Sequence, residues 1–182
     1  MPTALLTPPV GPDDHVEGRD DAPVTLVEYG DFECPHCAAA YPVVEAARAR
    51  LGDGLRFAYR HFPLAEVHPH AMRAAEAAEA AGAQGEFWEM HRLLFLNQHA
   101  LDDVDLLRYA ATLGLDRVRF EDELAAHAHA PRVRRDYVSG ASSAVEGTPT
   151  FFVNGVRYEG PWSDPALFVA ALKIVAQSAA VP

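Results

Sequence analysis

From about residue 66 to residue 146 the apolar side chains recur almost throughout at helical period. "HPHAMRAAEAAEAAGAQ" (68–84), "GEFWEMHRLLFLNQ" (85–98), "DDVDLLRYAATLGL" (102–115), "DRVRFEDELAAH" (116–127) and "PRVRRDYVSGASSAV" (131–145) each predict a helix, separated by Gly, Asn or Pro. Asp102 and Asp103 suit a helix start, and Gly114 suits a stop. The flanks differ. "APVTLVEYG" (22–30) and "LRFAYRHF" (55–62) predict buried strands, and "DHVEG" (14–18) predicts a short edge strand. Between the two buried strands, Pro35 to Arg50 predicts a helix that "LGDG" ends. That order is a βαβ unit with a right-handed crossover.

After the helical block, "PTFFVNGVRYEG" (149–160) returns to strand composition, with Asn154-Gly155 as a hairpin turn. A last helix is expected over 164–177, with Asp164 at its start and Pro165 in its first turn. The fold class is therefore α/β, with a mixed central sheet, helices on both faces and an inserted all-helical domain. The expected division is a flexible tail at 1–12, holding four prolines, a discontinuous sheet-bearing domain at 13–64 and 147–182, and the helical insertion at 65–146.

The chain's 182 residues suit one domain with an insertion, and its net charge of −11 argues against a nucleic-acid or anionic-membrane surface. No run has the length of a transmembrane helix, so membrane insertion is not expected. The first residues lack a basic and then apolar leader, which predicts cytoplasm for a full-length chain. A periplasmic or other extracytoplasmic home is expected instead if a signal peptide has been removed. A monomer is expected, since one small core accounts for the apolar periodicity.

Both cysteines lie in "FECPHCAA", residues 32–39, between the first buried strand and the helix that follows. Three readings fit such a pair: a redox couple, part of a metal site, or two small core residues. A structural zinc site needs four ligands, and the chain holds no second cysteine pair. His36, His68, His70, His127 and His129 lack finger or ribbon spacing, so no metal is expected; the pairs 68/70 and 127/129 are read as solvated loop and helix-end residues. As a redox couple, Cys34 would stand before the first helical turn, exposed, its thiolate favoured by unpaired N–H groups and the helix dipole. Cys37, one turn further in, would be more buried and would resolve a mixed disulfide. A charged His36 would further favour the Cys34 thiolate, and Glu33 would oppose it.

"VTLVEYGDFECPHC", "GEFWEMHRLLF" and the distant "GTPTFFVNG" together resemble the DsbA-like thiol:disulfide oxidoreductases of the thioredoxin superfamily, over nearly the whole chain after the tail. The middle motif is similar to the bacterial pattern, and Cys-Pro-His-Cys is the tetrapeptide typical of the oxidants. The resemblance implies a thioredoxin fold carrying an inserted helical domain. It implies that Cys34 is the nucleophile and Cys37 the resolving cysteine, with Pro35 and His36 completing the catalytic tetrapeptide. Thr148-Pro149 matches a cis-proline loop whose Thr148 backbone pairs with substrate. Glu28 matches a buried acid thought to pass protons to and from Cys37, with Arg60 expected as its neighbour.

Unfolded or cysteine-containing proteins are the implied substrates, a separate redox protein recycles the site, and no cofactor beyond the Cys34–Cys37 disulfide is implied. Phe32, Phe62 and Trp162 are candidates for an apolar substrate surface, while Phe87, Trp88 and Met90 suit the core. Oxidation of clients is the leading direction. Reduction of disulfides or oxidative-stress defence in cytoplasm is the alternative, as is kappa-type glutathione transferase or isomerase chemistry, which generally works without a Cys-x-x-Cys pair.

Overall fold

The structure is a computed structural model that describes residues 4–179. Its five-stranded mixed sheet has the order β1-β3-β2-β4-β5, with strands His15–Glu17 (β1), Val24–Gly30 (β2), Leu55–His61 (β3), Thr150–Val153 (β4) and Val156–Arg157 (β5). Helix α1 (Pro35–Leu51) connects β2 to β3, its neighbour in the sheet. β1 pairs antiparallel with β3, β2 with β4, and β4 with β5. Helices α2 (Ala71–Gly82), α3 (Phe87–Leu96), α4 (Asp103–Thr112), α5 (Arg117–Ala125) and α6 (Ala130–Ser142) follow β3, and α7 (Pro165–Ala179) follows the hairpin. The α/β thioredoxin fold read from the sequence is the fold observed.

The chain divides into two compact units. One comprises residues 1–29, 39–60 and 139–182; the other comprises 30–38 and 61–138. In the sheet-bearing unit, β2 and β3 are buried along nearly their whole length, as continuous apolar strands should be. Phe57, Phe152, Phe168 and Leu172 form its core. The Phe168 ring of α7 lies 5.3 Å from those of Phe151 and Tyr158. The hairpin turn uses Asn154 and Gly155 at positive φ, 49° and 80°, which is the reason the pair marks such turns. Asn154 also fastens the start of β2: its Oδ1 accepts the Thr25 N–H at 2.7 Å and its Nδ2 donates to the Pro23 carbonyl at 3.0 Å.

The described part of the expected tail is held rather than loose. The Leu6 N–H donates to the Gly155 carbonyl at 2.8 Å, Leu5 bridges Val156, and the Leu6 side chain is buried. Buried Arg60 is the second anchor. Its guanidinium forks onto Asp14 at 2.7 and 2.9 Å and donates to the Pro8 and Pro9 carbonyls and to the Tyr29 hydroxyl. Residues 1–3 lie outside the described residues.

In the helical unit, α2 packs against α3, α4 and α5. Seven of its alanines are buried around the whole helix, which lets neighbouring backbones approach closely. Asp116 caps α5 by accepting the Arg119 N–H at 3.1 Å. Asp102 is the N-cap residue of α4 by its backbone, and Gly114 follows that helix at φ 71°.

Candidate active site

Residues 30–38 turn the chain from β2 into α1. The turn is fixed by its own backbone: Cys34 N–H donates to the Asp31 carbonyl at 3.2 Å, and the N–H groups of Cys37 and Ala38 donate to the Cys34 carbonyl at 3.0 and 3.2 Å. Pro35 is the first helical residue, where its missing N–H costs nothing. Cys34 therefore stands at the helix entry and Cys37 in the first turn, the arrangement that favours a thiolate. Pro35 and His36 are exposed. Cys34 is not: it is 3% exposed, against 0% for Cys37. The expected contrast between an open and a buried sulfur is thus slight.

A second layer, far away in sequence, holds this turn. Gln98 donates from Nε2 to the carbonyls of Phe32 at 2.7 Å and Cys34 at 2.9 Å. Asp31, its carboxylate buried, accepts the N–H of Glu33 at 2.8 Å and of Leu64 at 2.9 Å, and lies 2.8 Å from His68 Nδ1. The Asp31 N–H in turn donates to Cys37 Sγ at 3.5 Å. Glu33 holds His70, accepting its N–H at 2.6 Å and lying 2.8 Å from its Nδ1. His68 is therefore not a solvated loop residue, and His70, at the start of α2 with its side chain 43% exposed, is solvated but also held; the two partner the acids on either side of Phe32. His127 faces Glu76 and His129 faces Glu123 in the same way.

Burial works against a charge on His68, but the hydrogen bond and charge of Asp31 outweigh it, with Cys34 and Glu33 adding, so its pKa is raised. The hydrogen bond to Glu33 raises that of His70, against a smaller effect of burial.

Other expected residues take different places. Phe32 and Phe62 are buried: Phe32 packs on Phe95 with ring centres 4.9 Å apart, and Phe62 stacks on Tyr137 at 4.4 Å. Neither is a substrate surface. Phe87 and Met90 are core, as expected, and Trp88 packs edge-on against Phe87. Glu28, Thr148 and Pro149 belong to the sheet-bearing unit. Glu28 is buried on β2 opposite Phe151, and Arg60, its expected neighbour, is committed to Asp14 and Tyr29. The Thr148-Pro149 bond is cis. Beside it, Pro149, Phe151, Tyr158 and Trp162 line a cavity of about 180 Å³.

Among the described residues, His61, Glu79 and Asp136 bring possible metal-ligating atoms within 4.8 Å of one another. His61 Nε2 lies 2.8 Å from Glu79, and Arg132 pairs with Asp136 and lies 3.8 Å from Glu79. The guanidinium already supplies the positive charge, so the cluster reads as a buried ion network.

Residues 11–173 match the family model described as Thioredoxin. The chain belongs to the thioredoxin family. Among solved structures, this thioredoxin-family chain is similar to alpha-DsbA1 of Wolbachia pipientis, with TM-score 0.80, 20% identity, and coverage of 96% of this chain and 95% of that one. It is also similar to a thioredoxin-like oxidoreductase of Silicibacter pomeroyi, with TM-score 0.76, 26% identity, and coverage of 92% and 94%. A curated relative is named the Na(+)/H(+) antiporter NhaA 3 of Salinispora tropica, 51% identical over 176 residues, which are 95% of this chain and 26% of that protein. The chain spans about a quarter of the length of the curated relatives it matches. No described helix is long and apolar enough to cross a membrane.

Proposed function

We propose that the protein is a thiol:disulfide oxidoreductase that oxidises protein dithiols through the Cys34–Cys37 couple. One observation carries the reading: Cys34 stands at the entry of α1 with Cys37 in its first turn, inside a turn braced by Gln98 and Asp31. A substrate thiolate attacks Cys34 Sγ, the Cys34–Cys37 bond breaks, and Cys37 leaves with the electron pair and takes a proton. A second substrate thiolate then attacks the substrate sulfur of the mixed disulfide. The substrate leaves as a disulfide, and Cys34 leaves as a thiolate. Two electrons have passed to the protein, and an external disulfide restores the couple.

The oxidising direction is supported by the helix-entry position, which favours the reduced thiolate, and by the pairing of Glu33 with His70, which lessens the opposition of that carboxylate. In this reading Glu28 keeps the proton-transfer role that the DsbA-like resemblance implies, and Thr148-Pro149 the substrate-pairing role. The antiporter relatives match along about a quarter of their length, so the reading concerns that segment and not transport.

The test is oxidation of a reduced, unfolded disulfide protein with oxidised glutathione as the terminal oxidant. Turnover is expected from the native chain, none from Cys34→Ala, and a trapped mixed disulfide from Cys37→Ala. Equal turnover by Cys34→Ala would overturn the reading.

A further inference from the structure

Its place between the cysteines points to His36 as the histidine that favours the Cys34 thiolate, yet the histidine built into the site is His68. His36 is exposed, whereas His68 is 17% exposed in its side chain and fixed at 2.8 Å on a fully buried carboxylate. That carboxylate belongs to Asp31, whose carbonyl accepts the Cys34 N–H at 3.2 Å and whose N–H donates to Cys37 Sγ at 3.5 Å. One residue thus touches both cysteines through its backbone and holds an imidazole through its side chain.

We propose, building on the oxidoreductase reading above, that His68 is a positioning residue for charge: held as an imidazolium by Asp31, it stabilises the Cys34 thiolate and so sets the oxidising strength of the couple. The charged groups that bear on His68 are Asp31, Cys34 and Glu33, all acidic when ionised. Asp31 alone would oppose a thiolate beside it; the dyad cancels that charge. The coupling is mutual: a Cys34 thiolate favours the imidazolium as much as the imidazolium favours the thiolate. When a substrate dithiol reduces the disulfide, two electrons open the Cys34–Cys37 bond. One proton goes to Cys37, and the other goes to His68 or to water according to pH. Cys34 stays ionised.

The test uses the whole chain. In His68→Gln the pH midpoint of Cys34 alkylation should rise. The equilibrium constant for reduction by glutathione should fall about tenfold, or about 30 mV for a two-electron couple. His68→Lys, which restores the charge, should recover much of both. In the native chain, the His68 ring resonances should titrate at higher pH in the reduced form than in the oxidised form. An unchanged Cys34 midpoint and potential in folded His68→Gln would overturn the proposal. Should that variant fail to fold, equal His68 midpoints in the two redox forms of the native chain would do the same. A native chain that forms no Cys34–Cys37 disulfide would overturn the oxidoreductase reading and this proposal together. A disulfide whose potential ignores His68 would overturn this proposal alone.

Discussion

The Glu33 carboxylate grips His70 twice, through the backbone N–H at 2.6 Å and the ring Nδ1 at 2.8 Å. Glu33 adjoins Cys34, and a bare carboxylate there would disfavour the thiolate. The His70 pairing offsets that charge while the imidazole is protonated. In His70→Ala the Cys34 thiolate should therefore form at higher pH, and in Glu33→Gln at lower pH. Ultraviolet thiolate absorbance against pH reads both shifts. A shift of the same sign in the two variants would contradict the pairing.

The two histidine–carboxylate pairs also tie stability to pH. Folding raises the pKa of both His68 and His70 above 6.5. A group raised on folding binds protons more tightly in the native state. Its contribution is complete below the unfolded value and fades as pH rises through the folded one. Urea unfolding of the native chain and of a His68→Gln, His70→Gln double variant should differ most below about pH 6.5 and converge above the folded values. A gap that widened with rising pH would contradict this sign.

Arg60 ties the N-terminal segment to the sheet-bearing unit. Burial works against its charge, but Asp14 and Tyr29 outweigh that effect and keep it ionised. Arg60→Met leaves Asp14 without its buried partner and should cost about 3–5 kcal/mol in urea unfolding. Limited proteolysis should then cut between residues 4 and 14, a segment expected to resist cleavage in the native chain. Unchanged stability and protection would show that the contacts of residues 4–7 with Ser143 and with residues 155–157 hold the segment without Arg60.

Gln98 bonds two carbonyls of the cysteine turn from one amide nitrogen. Gln98→Ala removes both bonds and should lower stability by about 1–2 kcal/mol. Hydrogen exchange in residues 32–38 should speed up more than in α7. Equal acceleration in both segments would mean that Gln98 does not specifically brace the turn.

Local chemistry made much of this architecture legible. Asn154-Gly155 announced its hairpin because few other pairs take two positive φ values, and Pro35 announced a helix start because it gives up no hydrogen bond there. The misreadings arose where distant groups meet. Four prolines made 1–12 look loose, but Pro8 and Pro9 present carbonyls to Arg60, more than 50 residues away. Phe32 and Phe62 looked like surface because they border the cysteine turn and a strand end, and periodicity does not say what Phe95 and Tyr137 will cover. His68 and His70 looked merely solvated because their partners, Asp31 and Glu33, each stand 37 positions earlier. Acids on both sides of Phe32, matched by histidines at the same spacing, were the available signal.

The central claim is that Cys34 and Cys37 form an oxidising couple, and the direct test is equilibration with glutathione redox buffers followed by thiol trapping. A two-electron Cys34–Cys37 transition with a potential more oxidising than that of the glutathione couple is the predicted result. Either no disulfide between these cysteines, or a potential well on the reducing side of glutathione, would contradict it.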